Sequence, residues 1–300
     1  MSRTGRRCSS APTRPSSPSS TRSKRCSAVG SQPRRRLDAE LVRRGLVESR
    51  TAAQEAIAAG LVTVDGGPAL KASTQVHPGQ AVAVAAPPRA FVSRGGEKLA
   101  HALARFGIDP RGRRCLDAGV STGGFTDCLL QQGAASVVAY DVGYGQVHER
   151  IRTDPRVEVH ERTNIRDVTP ADVAPPPPDL IVCDVSFIAL RTVLPTLRAL
   201  GTDIAEAVTL VKPQFEATRA EVGKGGVVRD PDVWGRVLTE VVAVAGDLGW
   251  TGVDLTASPL QGPAGNVEFL AHLTVGPAPA DVDALVAAAV AEGEAVRSRT

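Results

Sequence analysis

Four polar residues close short apolar runs in the later part of the chain: Asp117 after RCL, Asp141 after SVVAY, Asp184 after DLIVC and Lys212 after AVTLV. Each run is only a few residues long, and the last three are rich in β-branched residues, the pattern of strands buried on both faces. In a parallel sheet, ligands bind outside the carboxyl ends of the strands, so three carboxylates and one ammonium would meet in one cleft. A single lysine at a strand end usually reaches for water along its apolar stem. Here Pro213 stops the strand directly behind Lys212 and sets its direction. An amine and a carboxylate held at one sheet edge are the material of proton transfer.

The first of these ends opens into LDAGVSTGGFTD, where Asp117 precedes Gly119, Ser121, Thr122, Gly123, Gly124 and Phe125. Glycines there let backbone approach a ligand closely at a helix N-terminus. The spacing is not GxGxxG, and no Lys-Ser/Thr pair comes after it to cradle a pyrophosphate. An acid just before the glycines repels phosphate and suits a ligand with a cationic end, such as the methionine ammonium of S-adenosyl-L-methionine. That cofactor is favoured over a nicotinamide dinucleotide. Asp141, at the next strand end, is placed for ribose hydroxyls. Asn164 and Asp167, in ERTNIRD after a third strand VEVH, are placed for an adenine edge.

The elements that must position these residues alternate between strand and helix. Beyond the runs above, Phe125, Cys128 and Leu129 share a helical face, and Leu190, Val193, Leu194 and Leu197 mark a helix that Pro195 would kink. A helix over 232–248 aligns Val233, Val237, Val241 and Ala245, and TGVDLTAS and NVEFLAHLTV close the domain as a hairpin. This predicts an α/β fold with a doubly wound, largely parallel sheet. Upstream, RRRLDAELVRRGLVESRTAAQEAIAAGLVTVDGGPAL reads as a small α+β unit. It has two helices, the second capped by Ser49 and ended by Gly60, then the strand LVTVDGG and one returning strand, QVHPGQAVAV. The expected organisation is a disordered basic tail (1–33), the small unit (34–86), a stiff linker PPRAFV (87–92) and the large unit (93–300).

Composition narrows the class of function. Hydrophobic residues make up 42%, aromatics 3%, and no apolar run nears the roughly 20 residues of a membrane span. The start of the chain lacks the apolar stretch of a secretion signal, so a cytoplasmic protein is expected. Cys8, Cys26, Cys115, Cys128 and Cys183 show no CxxC pairing and no nearby His at ligand spacing, which speaks against zinc and for buried thiols in a reducing compartment. Ten Arg or Lys and no acid lie between Ser2 and Arg36. Charge of that kind suits a polyanionic partner through phosphate contacts.

Eight segments, SRGGEKL, DAGVSTGGFTDCLL, YDVGYGQ, ERTNIR, CDVSFI, LVKPQFE, VGKGGVVRD and GPAGNVEFL, succeed one another between Arg35 and Val275 with consistent spacing. Together they resemble the TlyA/hemolysin A family of bacterial rRNA 2′-O-methyltransferases. The resemblance implies a Rossmann-like S-adenosylmethionine-dependent methyltransferase domain of FtsJ type, preceded by an S4 RNA-binding domain. It implies a Lys–Asp–Lys–Glu tetrad, carried here by Lys98, Asp184, Lys212 and Glu268. Lys212 would be the base for the ribose hydroxyl and Asp184 its positioner, with a contact to the methionine ammonium. Lys98 would stabilise the developing alkoxide, and Glu268 would hold the lysines. No metal is called for. Arg35, Arg36, Arg43, Arg44 and Arg50 would meet RNA phosphates, joined by Lys224 and Arg229 of GKGGVVRD, read as a flexible lid. The partner would be ribosomal RNA or a ribosomal subunit, the target cytidine ribose, and no stable membrane association is expected. The chain departs from the family at Arg89-Ala90-Phe91-Val92, where members carry Arg-x-Trp-Val, so an indole N–H is lost. Two other readings are a membrane-acting hemolysin, with 281–296 its one amphipathic candidate, and a non-catalytic rRNA-binding assembly factor.

Overall fold

In a computed structural model of the chain, residues 34–47, 49–85, 90–279 and 281–299 are described. The basic tail, Cys8, Cys26 and the Pro87–Arg89 part of the linker lie outside the described residues. The chain divides into two compact units after Pro87.

The small unit runs β1 (Arg35–Arg36), α1 (Leu37–Arg43), α2 (Arg50–Ala58), β2 (Val62–Val64), β3 (Gly67–Pro68), β4 (Gln75–Val76) and β5 (Val82–Val84). Leu37 and Leu41, one turn apart on α1, meet Ala53 and Ile57, one turn apart on α2, over Val62 and Val76. Ser49 caps α2 as expected, its hydroxyl accepting from the Ala52 N–H at 3.1 Å. The returning strand is two strands rather than one. Gln75–Val76 pairs with Arg35–Arg36, and Val82–Val84 pairs with Val62–Val64. His77-Pro78-Gly79-Gln80 turns between them because proline has no N–H for a ladder and glycine weakens a strand.

The large unit begins with α3 (Arg94–Phe106), β6 (Arg114–Ala118), α4 (Gly124–Gln131), β7 (Ser136–Tyr140), α5 (Glu149–Arg152) and β8 (Val157–His160). It continues through β9 (Leu180–Cys183), α6 (Leu194–Leu200), β10 (Glu206–Val211), α7 (Pro213–Glu216) and α8 (Pro231–Asp247). The closing hairpin, β11 (Gly252–Ala257) and β12 (Phe269–Thr274), leads into α9 (Val282–Ser298). The sheet order is β11-β12-β10-β9-β6-β7-β8, and β12 runs against both its neighbours. Alternation along the buried strands feeds two cores: Leu180 and Val182 face α3 and α4, while Ile181 and Cys183 face α6 and α8. Winding reverses between β6 and β9, so the ends of those two strands form the switch-point crevice.

Two local expectations change. Pro195 sits in the first turn of α6, after a 3₁₀ turn at Leu190–Thr192, and starts the helix instead of kinking it. Glu268 lies just before β12, not within it. Helix α9 packs its Val286–Ala289–Gly293 face against β11 and α8, so the 281–296 stretch is a sheet cover. No helix among the described residues is long and apolar enough to cross a membrane.

Candidate active site

Strands β9 and β10 are parallel neighbours, so Asp184, next after β9, and Lys212, next after β10, emerge side by side. Lys212 Nζ stands 2.6 Å from Asp184 Oδ1 and donates to Ser186 Oγ at 2.7 Å. The Asp184 contact is an ion pair without hydrogen-bond alignment; the aligned donation goes to Ser186. Lys212 is only 8% exposed, so it does not reach for water as a lone strand-end lysine would. Its ammonium also sits 5.9 Å from the Phe215 ring centre.

Lys98 lies in the second turn of α3 and Glu268 at the mouth of the β11–β12 hairpin. Far apart in sequence, they form a buried ion pair, with 7% and 2% of their surfaces exposed. Room for the Glu268 carboxylate comes from Gly262, where an added Cβ would lie 2.5 Å from Oε1. The Phe91 ring packs over Gly96 on the same helix, a place with no room for a Cβ, so this departure from the family keeps its aromatic packing near Lys98.

Two clefts adjoin at the switch point. One, of about 450 Å³, is lined by Gly119, Ser121, Asp141, Asn164, Arg166, Asp184, Ser186 and Phe187 among others. The second, of about 330 Å³, gathers all four tetrad residues with Ser121, Thr122, Gly124 and Phe125. Gly119, Ser121, Asp184 and Ser186 belong to both walls, so ligands filling the two clefts would touch at Asp184.

Three of the residues expected to bind the cofactor line neither cleft. Asp117 is fully buried behind the glycine turn, its Oδ2 accepting from the Thr126 N–H at 3.0 Å and hydroxyl at 2.6 Å. It pins the start of α4, and its Oδ1 has no hydrogen-bond partner. Burial pushes the Asp117 carboxyl up to about 7; Asp184 and Asp141 add to the rise, and the Thr126 bonds oppose it. Gly123 is set against Ile151, where an added Cβ would lie 2.9 Å away. Asp167 is the exposed end of a 3₁₀ turn, and Ile165 and Arg166 line the cleft in its place. The glycines also serve a second purpose. A Cβ at Gly119 would lie 2.7 Å from the Asp184 carbonyl, and one at Gly124 would lie 2.9 Å from the Gly96 N, so they seat protein against protein. Asp141 is braced by backbone, accepting from Ser121 N at 2.7 Å and Gly143 N at 2.6 Å. Asn164 caps its turn by accepting from Arg166 N at 3.1 Å. The donor set fits S-adenosylmethionine: Asp141 and Asp184 line the larger cleft, with Asp117 buried behind it, which suits a ligand bearing an ammonium and a sulfonium.

An FtsJ-like methyltransferase model matches residues 91–275, and an S4 domain model matches residues 35–82. The 16S/23S rRNA (cytidine-2′-O)-methyltransferase TlyA of Mycobacterium tuberculosis is 54% identical over 241 residues, 80% of this chain and 90% of that one. The chain belongs to the TlyA family. Hemolysin A of Brachyspira hyodysenteriae is 40% identical over 240 residues, 80% of this chain and 100% of that one. A solved structure from Streptococcus thermophilus, described as a hemolysin, is 38% identical with a TM-score of 0.66, covering 89% of this chain and 98% of that one. The chain is thus an S-adenosylmethionine-dependent methyltransferase with an S4 RNA-binding domain.

In the TlyA-type S4 unit, four of the five expected RNA-contacting arginines are held by two buried acids. Asp38 pairs with Arg36 at 3.0 Å and Arg50 at 2.8 Å; Glu40 pairs with Arg43 at 2.5 Å and Arg44 at 2.7 Å. Arg43 and then Arg44 bring the Glu40 carboxyl down to about 2 against its burial. Arg44 also donates to the Gln80 and Pro78 carbonyls, so it is an internal brace, while Arg35, Arg36, Arg43 and Arg50 stay exposed. In the large unit, the loop carrying Lys224 and Arg229 is pinned rather than free. Buried Asn266 accepts from Val228 N at 3.0 Å and donates to the Gly226 carbonyl at 2.9 Å, and Arg297 donates to the Arg229 carbonyl at 2.7 Å.

Sequence reasoning missed Ser186 and Phe187. Phe187 is 90% exposed, holds a positive φ of 64°, and leans on Phe215 at 5.1 Å. A side chain with that backbone is strained. The signal for Phe187 was an aromatic three residues after Asp184 in a chain poor in aromatics.

Proposed function

We propose that the chain methylates the ribose 2′-hydroxyl of a cytidine in small- or large-subunit ribosomal RNA, acting in the cytoplasm, with Lys212 as the base. The activity that names the Mycobacterium tuberculosis relative supports the substrate. The observation that carries the residue roles is an asymmetry between the two lysine–carboxylate pairs. Glu268 is sealed with Lys98, whereas the Asp184 side chain is 23% exposed on the wall shared by both clefts. A cationic ligand in the larger cleft draws on Asp184 and leaves Glu268 untouched. Lys212 then shares its counter-charge with that ligand, which marks it, and not Lys98, as the amine placed for proton abstraction.

S-adenosylmethionine supplies an electrophilic methyl group on a sulfonium. Lys212 Nζ would take the 2′-hydroxyl proton as that oxygen accepts the methyl group. Lys98, paired with Glu268, stabilises negative charge developing on the oxygen. Asp184 and Ser186 aim Lys212. Phe187 offers an aromatic face to a base turned out of its stack, and the exposed S4 arginines hold phosphates. Lys212→Ala is expected to abolish methyl transfer to rRNA while calorimetric cofactor affinity stays within about threefold. Full methyl transfer by that variant would overturn the assignment.

A further inference from the structure

Glu216 is the last residue of LVKPQFE and has no place in the tetrad. It is 8% exposed, and its Oε1 accepts from the Leu190 N–H at 2.6 Å. Leu190 closes the segment that starts at Asp184 and carries Ser186 and Phe187. At the segment's start, Asp184 N donates to the Ala118 carbonyl. Among the described residues, no backbone carbonyl takes an N–H from residues 185–189. A loop without internal backbone bonds, one of whose residues is held at positive φ, needs fixing from outside.

That fixing comes from one helical turn. Lys212 precedes α7 and Glu216 ends it, four residues apart, so they emerge on one face. Lys212 grips Ser186 in the middle of the segment, Phe215 supports Phe187, and Glu216 grips Leu190 at its end. Pro213 pre-sets the turn that spaces them. We propose that Glu216 is a positioning residue for methyl transfer: by clamping Leu190 it holds the Ser186–Phe187 segment in register with Lys212. The proposal rests on Lys212 being the base.

Burial raises the Glu216 carboxyl above its ordinary range, with the Leu190 N–H opposing. The Leu190 N–H needs only an acceptor oxygen, so a neutral amide would serve as well, which separates the clamp from a charge effect. Glu216→Gln is expected to keep kcat on rRNA within about threefold of wild type. Glu216→Ala is expected to lose about tenfold to a hundredfold in kcat, the usual result of misplacing a reacting group by an ångström. Its cofactor affinity should stay within about threefold, and the Leu190 amide should exchange with solvent at least about tenfold faster. A Glu216→Ala kcat within about twofold of wild type overturns the clamp, as does an equal loss in Glu216→Gln. If Glu216→Ala does not fold, Glu216→Asp, one methylene short of the Leu190 N–H, decides in the same way: a tenfold loss supports the clamp and wild-type kcat overturns it. Lys212→Ala is measured alongside. If it retains transfer, the base assignment fails. If it is dead while Glu216→Ala is unimpaired, only the clamp fails.

Discussion

Removing Glu268 tests what the buried half of the tetrad contributes to stability as against chemistry. Lys98 is 7% exposed and Glu268 2%, so Glu268→Ala strands an ammonium in a nearly closed site. Breaking a buried pair from one side costs about 3–5 kcal/mol, because the remaining charge has lost its compensation. The pair lines a cleft, so water entering beside Gly262 favours the lower end. For a domain of this size each kcal/mol moves the midpoint by about 2–4 °C, so melting of the large unit should drop by about 6–20 °C. A double variant, Lys98→Met with Glu268→Leu, replaces both charges with apolar groups of similar volume. It should regain most of the lost stability, since a buried pair and its apolar replacement are nearly equivalent. It should nevertheless be inactive on rRNA, because no cation remains for the developing oxyanion. Differential scanning calorimetry beside a methyl-transfer assay separates the two effects. A Glu268→Ala melt within about 2 °C of wild type, or methyl transfer by the double variant, would refute this reasoning.

Phe187→Ala should weaken rRNA binding about 5- to 150-fold, the loss of one base–aromatic stack, with a smaller change in cofactor affinity; equal rRNA titrations would remove Phe187 from recognition. Asp117 has its folded-state pKa raised from 3.8 to about 7, so between those values the folded chain keeps a proton that the unfolded chain has released. Stability should therefore fall as pH rises from about 4 to 7, by roughly 4 kcal/mol, and level off above that. Asp117→Asn should lack this slope, and urea melts running parallel to wild type across that range would contradict it. Glu40→Gln should loosen Arg43 and lower S4-unit stability at neutral pH, with the difference from wild type closing as pH falls from about 4.5 towards 2. The same variant should weaken rRNA binding without altering kcat, and unchanged filter-binding affinity would count against arginine preorganisation.

Much of this architecture is legible in sequence because strand ends and helix faces are local facts. Short apolar runs closing on Asp117, Asp141, Asp184 and Lys212 place those residues at one sheet edge without reference to any partner. What a side chain then does there depends on neighbours that local pattern does not encode. Asp117 reads as a ligand contact because it precedes glycines, yet those glycines admit Asp184, Ile151 and Gly96, and the carboxylate turns inward to Thr126. Arg44 reads as an RNA contact by its charge, but its partners, Gln80 and Pro78, lie across the fold. The GKGGVVRD loop reads as a lid from its glycines, and a single buried asparagine far along the chain pins it.

The tetrad shows the same division, and shows why motif resemblance reached further than residue pattern. Lys98 has the local signature of a solvated residue early in a helix, and Glu268 that of an outward strand residue. Both assignments fail together because each side chain is the other's reason for burial: either charge alone would be too costly to enclose. A pair of that kind is invisible to periodicity, since its members are joined only by the closing of the β11–β12 hairpin over α3. Asp184 and Lys212 differ, for they come from adjacent strands whose ends already coincide, and their pairing is a consequence of the sheet itself. The sheet thus supplies the exchangeable pair, and the hairpin supplies the sealed one. The different roles proposed for Lys212 and Lys98 rest on that difference in enclosure.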